Sequence, residues 1–517
     1  MKRNNNWTDK IDLTFLCLFI ATLFCLLIAT FNKGNGWDER EHLYSTIQIL
    51  NGQIPYRDFF QHHHPLLWYS FAPIAYFFQE SANIIYASRI FILGFNILTC
   101  VFVYKISRLC LLSRWISICS VVLYVTNNII LTKGIDFRPD NPMITMFIGG
   151  VYYLLKYIKY QKQSALSVSF LFFILSFLFL QKAVFLLFPV GLVCLWFLIK
   201  KQISLKHFCV ACICPMLLSC LFVIVLLLNN TFKDYFELNW LLNMEMGKYE
   251  PFSANLHEKS IFIVFGCVCA VIAFWLKEIN SLARIFSFVF LCFCIELLII
   301  PTPWEQYWLP VYSFLGIIAT YVLFHQFSKN IFKIIILLIS VPIIMNTFYT
   351  DGFSSKLKQN AKLAEYILKH TSKTDYVLDE HSFNIQRQNI SGYYWFARFN
   401  VALLDIRLYN RHPQPKLNDL LKIYKPIFIT MEPWVDWYNG TECTDKTKFA
   451  EIMLNTGTNK VVSYELEKKW FGRKEEKLKI YPIVEKLDEQ YISENYTPIS
   501  SKIYMRNDRY EKVNLFE

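Results

Sequence analysis

The chain is dominated by uninterrupted apolar runs, each close to the ~20 residues that a helix needs to cross a ~30 Å hydrocarbon layer. A hydrophobic fraction of 55% with only 18% charged residues exceeds what a soluble protein needs to fill its cores, so the excess must face lipid. The runs lie at residues 13–31, 84–104, 115–131, 142–155, 166–180, 183–199, 208–228, 260–275, 285–300, 304–324 and 331–348. The sequence therefore predicts a polytopic α-helical membrane protein with about 11 transmembrane helices.

Lys and Arg predict the orientation, because they concentrate in cytoplasmic loops. With the N-terminus in the cytoplasm, the inner segments carry more Lys and Arg than the outer loops, although the outer loops are longer. The run at 13–31 is long and no small-residue cleavage site follows it, so we interpret it as a retained anchor. An odd number of spans then places the tail after Tyr349 outside. The inner loops also explain much of the net charge of +12, and we expect no nucleic-acid partner.

The chain divides into a membrane domain at residues 1–349 and an exported domain at residues 350–517. In the tail, 356–370 has the apolar stripe of an amphipathic helix, and 376–378, 426–431 and 461–464 have the composition of strands. We therefore predict a small C-terminal α/β domain. The membrane domain carries a polar outer loop at 32–83, in which the apolar stretch 66–78 is too short to span and is predicted to lie along the membrane.

The densest polar cluster directly follows the first run and contains Asp38, Glu39, Glu41 and His42. Ionisable groups at a membrane surface are costly to desolvate unless they face water, metal or substrate. Two interpretations stay open at this point. The cluster is either a solvated loop, or a carboxylate base or metal ligand at the level of the lipid headgroups.

A second cluster, His62, His63 and His64, precedes Pro65. Imidazoles bind metal or phosphate, but adjacent side chains of an extended chain point apart, so at most two of the three should converge.

A third group is Asp136, Arg138 and Asp140, in the outer loop before the fourth run. The planar fork of an arginine suits a phosphate, although a local Arg and Asp pair that caps the next helix explains the pattern equally well. Lys182 occupies a two-residue turn between apolar runs, where it either snorkels to the interface or binds an anion.

Two further acids belong to later runs. Glu305 stands at a predicted helix start, where the helix dipole favours a negative charge. Glu296 lies inside a run, and an intramembrane acid indicates a functional site or a buried pair. Apart from Glu296, these groups fall on the outer face by a topology derived independently from Lys and Arg.

Five segments, in this order, cover nearly all of the membrane domain: GWDEREHLY, GQIPYRDFFQHHHPLLWY, FRPDNPM, FLQKAVFLLFP and PTPWEQYWLPVYSFLGI. They resemble the C-type glycosyltransferase superfamily, in particular the bacterial branch related to protein mannosyltransferases and to the lipid A aminoarabinose transferase. The resemblance implies a multi-pass enzyme of the bacterial inner membrane with a periplasmic tail. Its implied partners are membrane lipid, a polyprenyl-phosphate sugar donor and a lipid, glycan or protein acceptor.

The resemblance also assigns roles to particular residues. It implies that Asp38, with Glu39 beside it, and Asp140 are catalytic, and that Arg138 and Lys182 bind the donor phosphate. From the residues themselves we further predict phosphate binding by His62 and His63, and a substrate cleft that contains Glu41, His42, Arg57, Asp58, Glu305 and Tyr307. If the enzyme uses a divalent metal ion, the expected ligands are Asp38, His42 and Asp140. One departure concerns the loop geometry, since relatives usually have two prolines where this chain has His64 and Pro65.

Three other functions compete with this one. A ligase or polymerase of lipid-linked glycans would share the outer-face chemistry. A transporter would also have many helices and an intramembrane acid, but carriers usually show repeated halves and interrupted helices, which this sequence does not. A membrane-tethered binding protein would work through its tail.

Overall fold

The computed structural model describes residues 12–110, 112–246, 256–275, 281–299, 305–379, 385–395, 412, 415, 417–430, 462–470, 473–481, 488–500 and 503–510. This part of the chain is mostly helical. Its first sixteen α-helices are α1 Leu13–Asn32, α2 Trp37–Leu50, α3 Leu66–Ala75, α4 Ile84–Leu109, α5 Arg114–Val125, α6 Asn128–Thr132, α7 Asp140–Tyr160, α8 Gln163–Phe179, α9 Ala183–Ile199, α10 Leu205–Leu228, α11 Phe232–Phe236, α12 Asn243–Met246, α13 Leu256–Trp275, α14 Ser281–Ile299, α15 Leu309–Gln326 and α16 Lys329–Thr350.

Every predicted apolar run overlaps a helix, and the run at 115–131 overlaps two. Five helical stretches are long and apolar enough to cross a membrane by length and composition, namely Leu13–Asn32, Ile84–Leu109, Leu205–Leu228, Gln306–Gln326 and Lys329–Thr350. Helices α8 and α9 are shorter, at 17 residues each. The chain is thus a helical protein with several membrane-spanning candidates, and the count of eleven spans stays a prediction.

The run at 115–131 was predicted as one helix, and that prediction is wrong. Helix α5 ends at Val125, and α6 begins two residues after Thr126. The side chain of Asn127 accepts a hydrogen bond of 3.0 Å from the backbone N–H of Ile129 and so caps the second helix. The short polar side chain competes with the helical backbone bonds and divides the run.

Helices α7 and α8 pack closely because α7 has two glycines at the contact. A Cβ added to Gly150 would lie 2.3 Å from the ring of Phe173, and one on Gly149 would lie 2.5 Å from Phe172. The Ser169 hydroxyl donates a hydrogen bond of 2.8 Å to the Gly150 carbonyl across this contact. This contact fixes the start of α7, where Asp140 lies, relative to the end of α8 near Lys182.

The outer segment 32–83 is folded into two helices. Helix α2 buries Glu39 and Glu41 and leaves Asp38 partly exposed, so the acids belong to a packed helix and not to a solvated loop. Helix α3 continues into a short 3-10 turn, Tyr76–Phe78, as the apolar stretch 66–78 predicts. In that turn the rings of Tyr76 and Phe77 are exposed, which suits a helix at a membrane interface.

The tail begins with the predicted amphipathic helix, α17 Lys356–Lys369. Its other helices and its strands are α18 Leu417–Tyr424, α19 Glu489–Asn495, β1 Tyr376–Asp379, β2 Gln388–Asn389, β3 Phe428–Thr430, β4 Val462–Trp470, β5 Arg473–Tyr481, β6 Tyr496–Ser500 and β7 Ile503–Arg506. Five of the strands form a sheet of order β2-β1-β3-β7-β6, in which β1 runs parallel to β2 and β3, and β7 runs antiparallel to β3 and β6. Strands β4 and β5 form a separate hairpin.

The tail packs on the outer segment of the membrane domain. The ring of Trp395 stacks on Tyr44 of α2, with centroids 4.0 Å apart. The Tyr393 hydroxyl donates a 2.8 Å hydrogen bond to the carbonyl of Tyr56, and the backbone N–H of Phe60 donates one of 2.9 Å to the Tyr393 carbonyl. The tail therefore supports the loop that leads into the histidines.

Candidate functional site

Helix α2 directs its acidic side chains to three different places, because successive residues of an α-helix are about 100° apart. Asp38, Glu39 and Glu41 each meet a separate set of partners. Asp38 contacts the loop before α7, Glu39 contacts helix α4, and Glu41 contacts the loop of residues 61–65, which we call the histidine loop. Neighbours in sequence thus have unlike environments.

Glu39 forms a buried ion pair with Arg89 of α4. The two hydrogen bonds measure 2.5 and 2.6 Å, and both side chains are 0% exposed. Asp136 lies 3.4 Å from the same guanidinium, and the backbone N–H of Phe137 donates to Glu39 at 3.3 Å. Burial raises the pKa of Asp136 to about 6, against the lowering effect of the Arg89 charge. Glu39 therefore fixes α2 against α4, and we do not retain it as a catalytic residue.

Arg138 lies between two carboxylates. Its guanidinium contacts Asp38 and donates a 3.3 Å hydrogen bond to Asp140. Arg138 and Asp140 are almost wholly buried, whereas the Asp38 side chain is 42% exposed. Of these two carboxylates, Asp38 is therefore the one that a substrate can approach.

Glu41 is buried under the histidine loop. Its Oε1 accepts a 2.8 Å hydrogen bond from Gln61 and lies 3.9 and 3.8 Å from Nδ1 of His62 and His63. Burial raises the pKa of Glu41 to about 8, against the lowering effects of the Gln61 hydrogen bond and the Lys182 charge. Burial likewise lowers the pKa of His62 to about 3, so this imidazole is neutral.

His42 has a defined tautomer. The indole N–H of Trp68 donates a 3.1 Å hydrogen bond to His42 Nδ1, so the neutral ring carries its proton on Nε2. That Nε2 is buried and has no hydrogen-bond partner among the described residues. The ring meets His63 edge-on, with centroids 5.0 Å apart.

His64 points away from the other two histidines. Its Nδ1 donates a 2.7 Å hydrogen bond to the carbonyl of Phe177, and its Nε2 accepts one of 2.8 Å from the Tyr235 hydroxyl. His62 and His63 converge on Glu41, so two of the three histidines meet, as extended-chain geometry predicts.

The turn between α8 and α9 faces this cluster. Gln181 donates a 2.9 Å hydrogen bond to the His62 carbonyl. The ammonium of Lys182 lies 4.1 Å from the ring centroid of Tyr307, and its charge acts on Glu41 and on His62. Lys182 and Tyr307 thus contact each other beside this cluster, whereas the side chain of Glu305 lies outside the described residues.

Arg57 and Asp58, predicted in the substrate cleft, pair with each other instead at 2.8 and 2.9 Å. Asp58 also accepts a 2.8 Å hydrogen bond from the backbone N–H of Ile54, so the pair stabilises the turn before the histidine loop. Glu296 lies within α14 and takes part in none of the contacts given above.

Three residues that organise the site were not identified from the sequence. Gln61 holds Glu41, Trp68 fixes the tautomer of His42, and Arg89 neutralises Glu39. Of the three, only Arg89 could have been recognised from the sequence as a residue that needs a partner, because it is a charged residue near the start of an apolar run.

The histidine loop opens the part of the chain that matches a known family. Residues 63–235 match the family described as dolichyl-phosphate-mannose-protein mannosyltransferase. ArnT from Cupriavidus metallidurans bound to undecaprenyl phosphate has 12% identity and a TM-score of 0.53, over 73% of this chain and 85% of that one. ArnT in the apo state has 10% identity and a TM-score of 0.58, over 82% of this chain and 94% of that one. The chain has the fold of ArnT.

The predicted resemblance to the C-type glycosyltransferases is thereby confirmed. No curated protein matches the sequence significantly. The family match includes His63, Arg138, Asp140 and Lys182 but begins after Asp38. The chain shares the fold of ArnT over most of its length, and residues 63–235 match the mannosyltransferase family.

Proposed function

We propose that this protein transfers a sugar from a polyprenyl-phosphate sugar to an acceptor hydroxyl at the outer face of the membrane. One observation carries the proposal: Arg138 contacts an accessible carboxylate, Asp38, within a C-type glycosyltransferase fold. The binding of undecaprenyl phosphate by ArnT supports a donor of this class.

The reaction is a displacement at the anomeric carbon of the sugar. The acceptor oxygen forms a new bond to that carbon while the bond between the carbon and the phosphate oxygen breaks. The electron pair of the broken bond leaves with the polyprenyl phosphate, and the acceptor proton passes to Asp38. A carboxylate in this position raises the nucleophilicity of the hydroxyl as the proton departs. Its exposure makes Asp38 the candidate base, and the buried Glu39 is excluded from that role.

Arg138 and Lys182 are proposed to stabilise the charge that develops on the leaving phosphate. Arg138 is held by Asp38 and Asp140, so its guanidinium is oriented before the substrate binds. The described contact of Lys182 is with the Tyr307 ring and uses none of its three N–H donors. Charges preorganised in a site that excludes water contribute strongly to catalysis.

The prenyl chain is proposed to lie in an apolar groove between α8, α9 and α10. The groove has a volume of about 380 Å³ and is lined by apolar side chains, among them Phe173, Phe177, Leu187, Val190 and Phe208. The Phe177 carbonyl accepts the hydrogen bond from His64, so the groove begins beside the histidine loop. A headgroup at Lys182 and a chain in this groove would belong to one lipid.

The test is release of sugar from a radiolabelled polyprenyl-phosphate sugar by the purified full-length protein in lipid. We expect Asp38→Asn to lower turnover by about 10² to 10⁴ fold, the usual contribution of a general base. The matched control is Asp58→Asn, which changes a carboxylate of the same outer segment that only pairs with Arg57 and the turn.

Two outcomes contradict the proposal. Equal turnover by the native chain and Asp38→Asn would remove the base from the mechanism. Turnover only with a glycan linked through a polyprenyl diphosphate would indicate a glycan ligase or polymerase instead.

A further inference from the structure

Three buried side chains beside the proposed donor site face one another and have no part in the proposed reaction. Glu41, His42 and His63 each offer one ligand atom, and these atoms all lie within 4.8 Å of one another. We call these three residues the Glu41 cluster. Two come from adjacent positions of α2 and the third comes from the histidine loop.

We infer that the Glu41 cluster is a binding site for one divalent metal ion of the zinc type, held by the Glu41 carboxylate, His42 Nε2 and His63 Nδ1. Two histidines and one carboxylate are a common ligand set of catalytic zinc, and three protein ligands leave a fourth position open. The site differs from the ligand set predicted from the sequence, because Asp38 and Asp140 contact Arg138.

The unpaired polar atoms of the cluster support a bound cation. His42 Nε2 and His63 Nδ1 are buried and have no hydrogen-bond partner in the described part of the chain. A buried polar atom without a partner costs about 1–3 kcal/mol, and most such atoms in proteins are satisfied. A metal ion between them would bind His63 Nδ1 directly, and His42 Nε2 once the proton of that ring has moved to Nδ1.

The distance between Glu41 and His63 is also close to that between two ligands of one metal ion. Glu41 Oε1 lies 3.8 Å from His63 Nδ1, which is too long for a hydrogen bond. Two ligands at zinc bond lengths and a tetrahedral angle stand about 3.4 Å apart. Gln61 already holds the Glu41 carboxylate with a 2.8 Å hydrogen bond, so a small shift of the histidine loop closes the site.

Trp68 opposes metal binding at His42. The indole N–H of Trp68 donates to His42 Nδ1 and so keeps the proton of the neutral imidazole on Nε2, the nitrogen that must bind the metal. Loading the site transfers that proton to Nδ1 and breaks the Trp68 hydrogen bond. Replacing Trp68 by Phe removes this competition, so Trp68→Phe should bind the metal more tightly than the native chain.

The surrounding charges suggest what the open position binds. Lys182 acts on the cluster as a positive charge, and Asp140 acts on His42 as a negative one. A divalent ion with one carboxylate leaves a net positive centre beside Lys182, which suits a phosphate oxygen of the lipid donor. This role rests on the proposed function, whereas the metal site itself does not.

The test uses Co²⁺ as a probe, added to the full-length protein in detergent after chelator treatment and removal of any affinity tag. We expect one equivalent to bind with the visible absorption of a four- or five-coordinate ion, and Zn²⁺ to displace it. Glu41→Gln and His63→Gln should each weaken binding by at least about 100-fold, since even changes to groups around ligands cost 10–100-fold. The matched control is His64→Gln, in the same loop, which should retain binding because both His64 nitrogens already have partners.

Three results overturn the inference: no stoichiometric Co²⁺ binding, binding that Glu41→Gln and His63→Gln leave unchanged, or binding lost equally in His64→Gln. Size-exclusion and thermal unfolding profiles identify any variant that fails to fold, and Trp68→Phe supplies a change in the opposite direction. Sugar release that persists without bound metal refutes the site's role in donor binding but leaves the transferase proposal intact. Stoichiometric Co²⁺ binding without sugar release from any donor would support the metal site and contradict the transferase proposal.

Discussion

Asp38 and Glu39 are adjacent acids of one helix, and their removal should have opposite consequences. Glu39 and its partner Arg89 are both 0% exposed, whereas the Asp38 side chain is 42% exposed. We therefore predict that Glu39→Gln damages the fold and that Asp38→Asn damages only the chemistry. The comparison separates a structural carboxylate from a catalytic one at positions that the sequence does not distinguish.

The expected sizes follow from burial. Removing one partner of a buried ion pair costs about 3–5 kcal/mol, because the other charge is left without compensation. The loss of unfolding free energy in Glu39→Gln should be near the lower end of this range, since glutamine keeps an acceptor oxygen and Asp136 stays 3.4 Å from Arg89. Asp38→Asn should cost less than about 1 kcal/mol, because the Asp38 side chain is 42% exposed to screening solvent and Asp140 still contacts Arg138.

The assay is the free energy of unfolding in mixtures of SDS and mild detergent, with turnover measured on the same preparations. A double variant, Glu39→Gln with Arg89→Met, should be more stable than the sum of the single variants by about 0.5–3 kcal/mol, the usual range for residues in contact. The reasoning fails if Glu39→Gln stays within about 0.5 kcal/mol of the native chain, the limit for surface changes, while its turnover is lost.

Three other changes have expected outcomes. Arg138→Gln should lower turnover by about 10² to 10³ fold, as the loss of one preorganised donor does elsewhere, with the rate constant as the measurement. Tyr393→Phe removes the hydrogen bond to the Tyr56 carbonyl and should cost about 1 kcal/mol of unfolding free energy. Gly150→Ala places a methyl group 2.3 Å from the ring of Phe173 and should cost about 1–3 kcal/mol by overpacking; unchanged thermal stability of these last two variants would contradict the packing described.

The helices were predictable because the signal for them is local. An apolar run of near-spanning length can satisfy its backbone in lipid only as a helix, so every run overlaps a helix. The error at 115–131 has a local cause too, since the run contains Asn127, whose side chain caps a new helix. The average hydrophobicity of a run does not reveal a single residue that caps a new helix.

The environments of the acids were not predictable, because they depend on partners far along the chain. Glu39 is separated from Arg89 by fifty residues, and no spacing rule connects them. To predict that the acids of α2 point in three directions, one must also know that residues 37–50 form a helix rather than a loop. Once it is a helix, its geometry separates Glu39 from Asp38.

The histidine loop shows the limit of reasoning from residue type. Extended-chain geometry limited the converging histidines to at most two of the three, and His62 and His63 both lie beside Glu41. Their common partner, Glu41, was predicted in the acidic cluster and as a cleft residue, but not as a partner of the histidines. The indole of Trp68, which fixes the tautomer of His42, lies in an apolar stretch with no sequence signal for that role.

The central claim is that Asp38 is the base of a sugar transfer from a polyprenyl-phosphate donor. Its most direct test compares the native chain, Asp38→Asn and Asp58→Asn for sugar release in lipid. The account predicts release by the native chain and by Asp58→Asn, with a loss of at least about 10² fold in a folded Asp38→Asn. Equal release by all three proteins would contradict it.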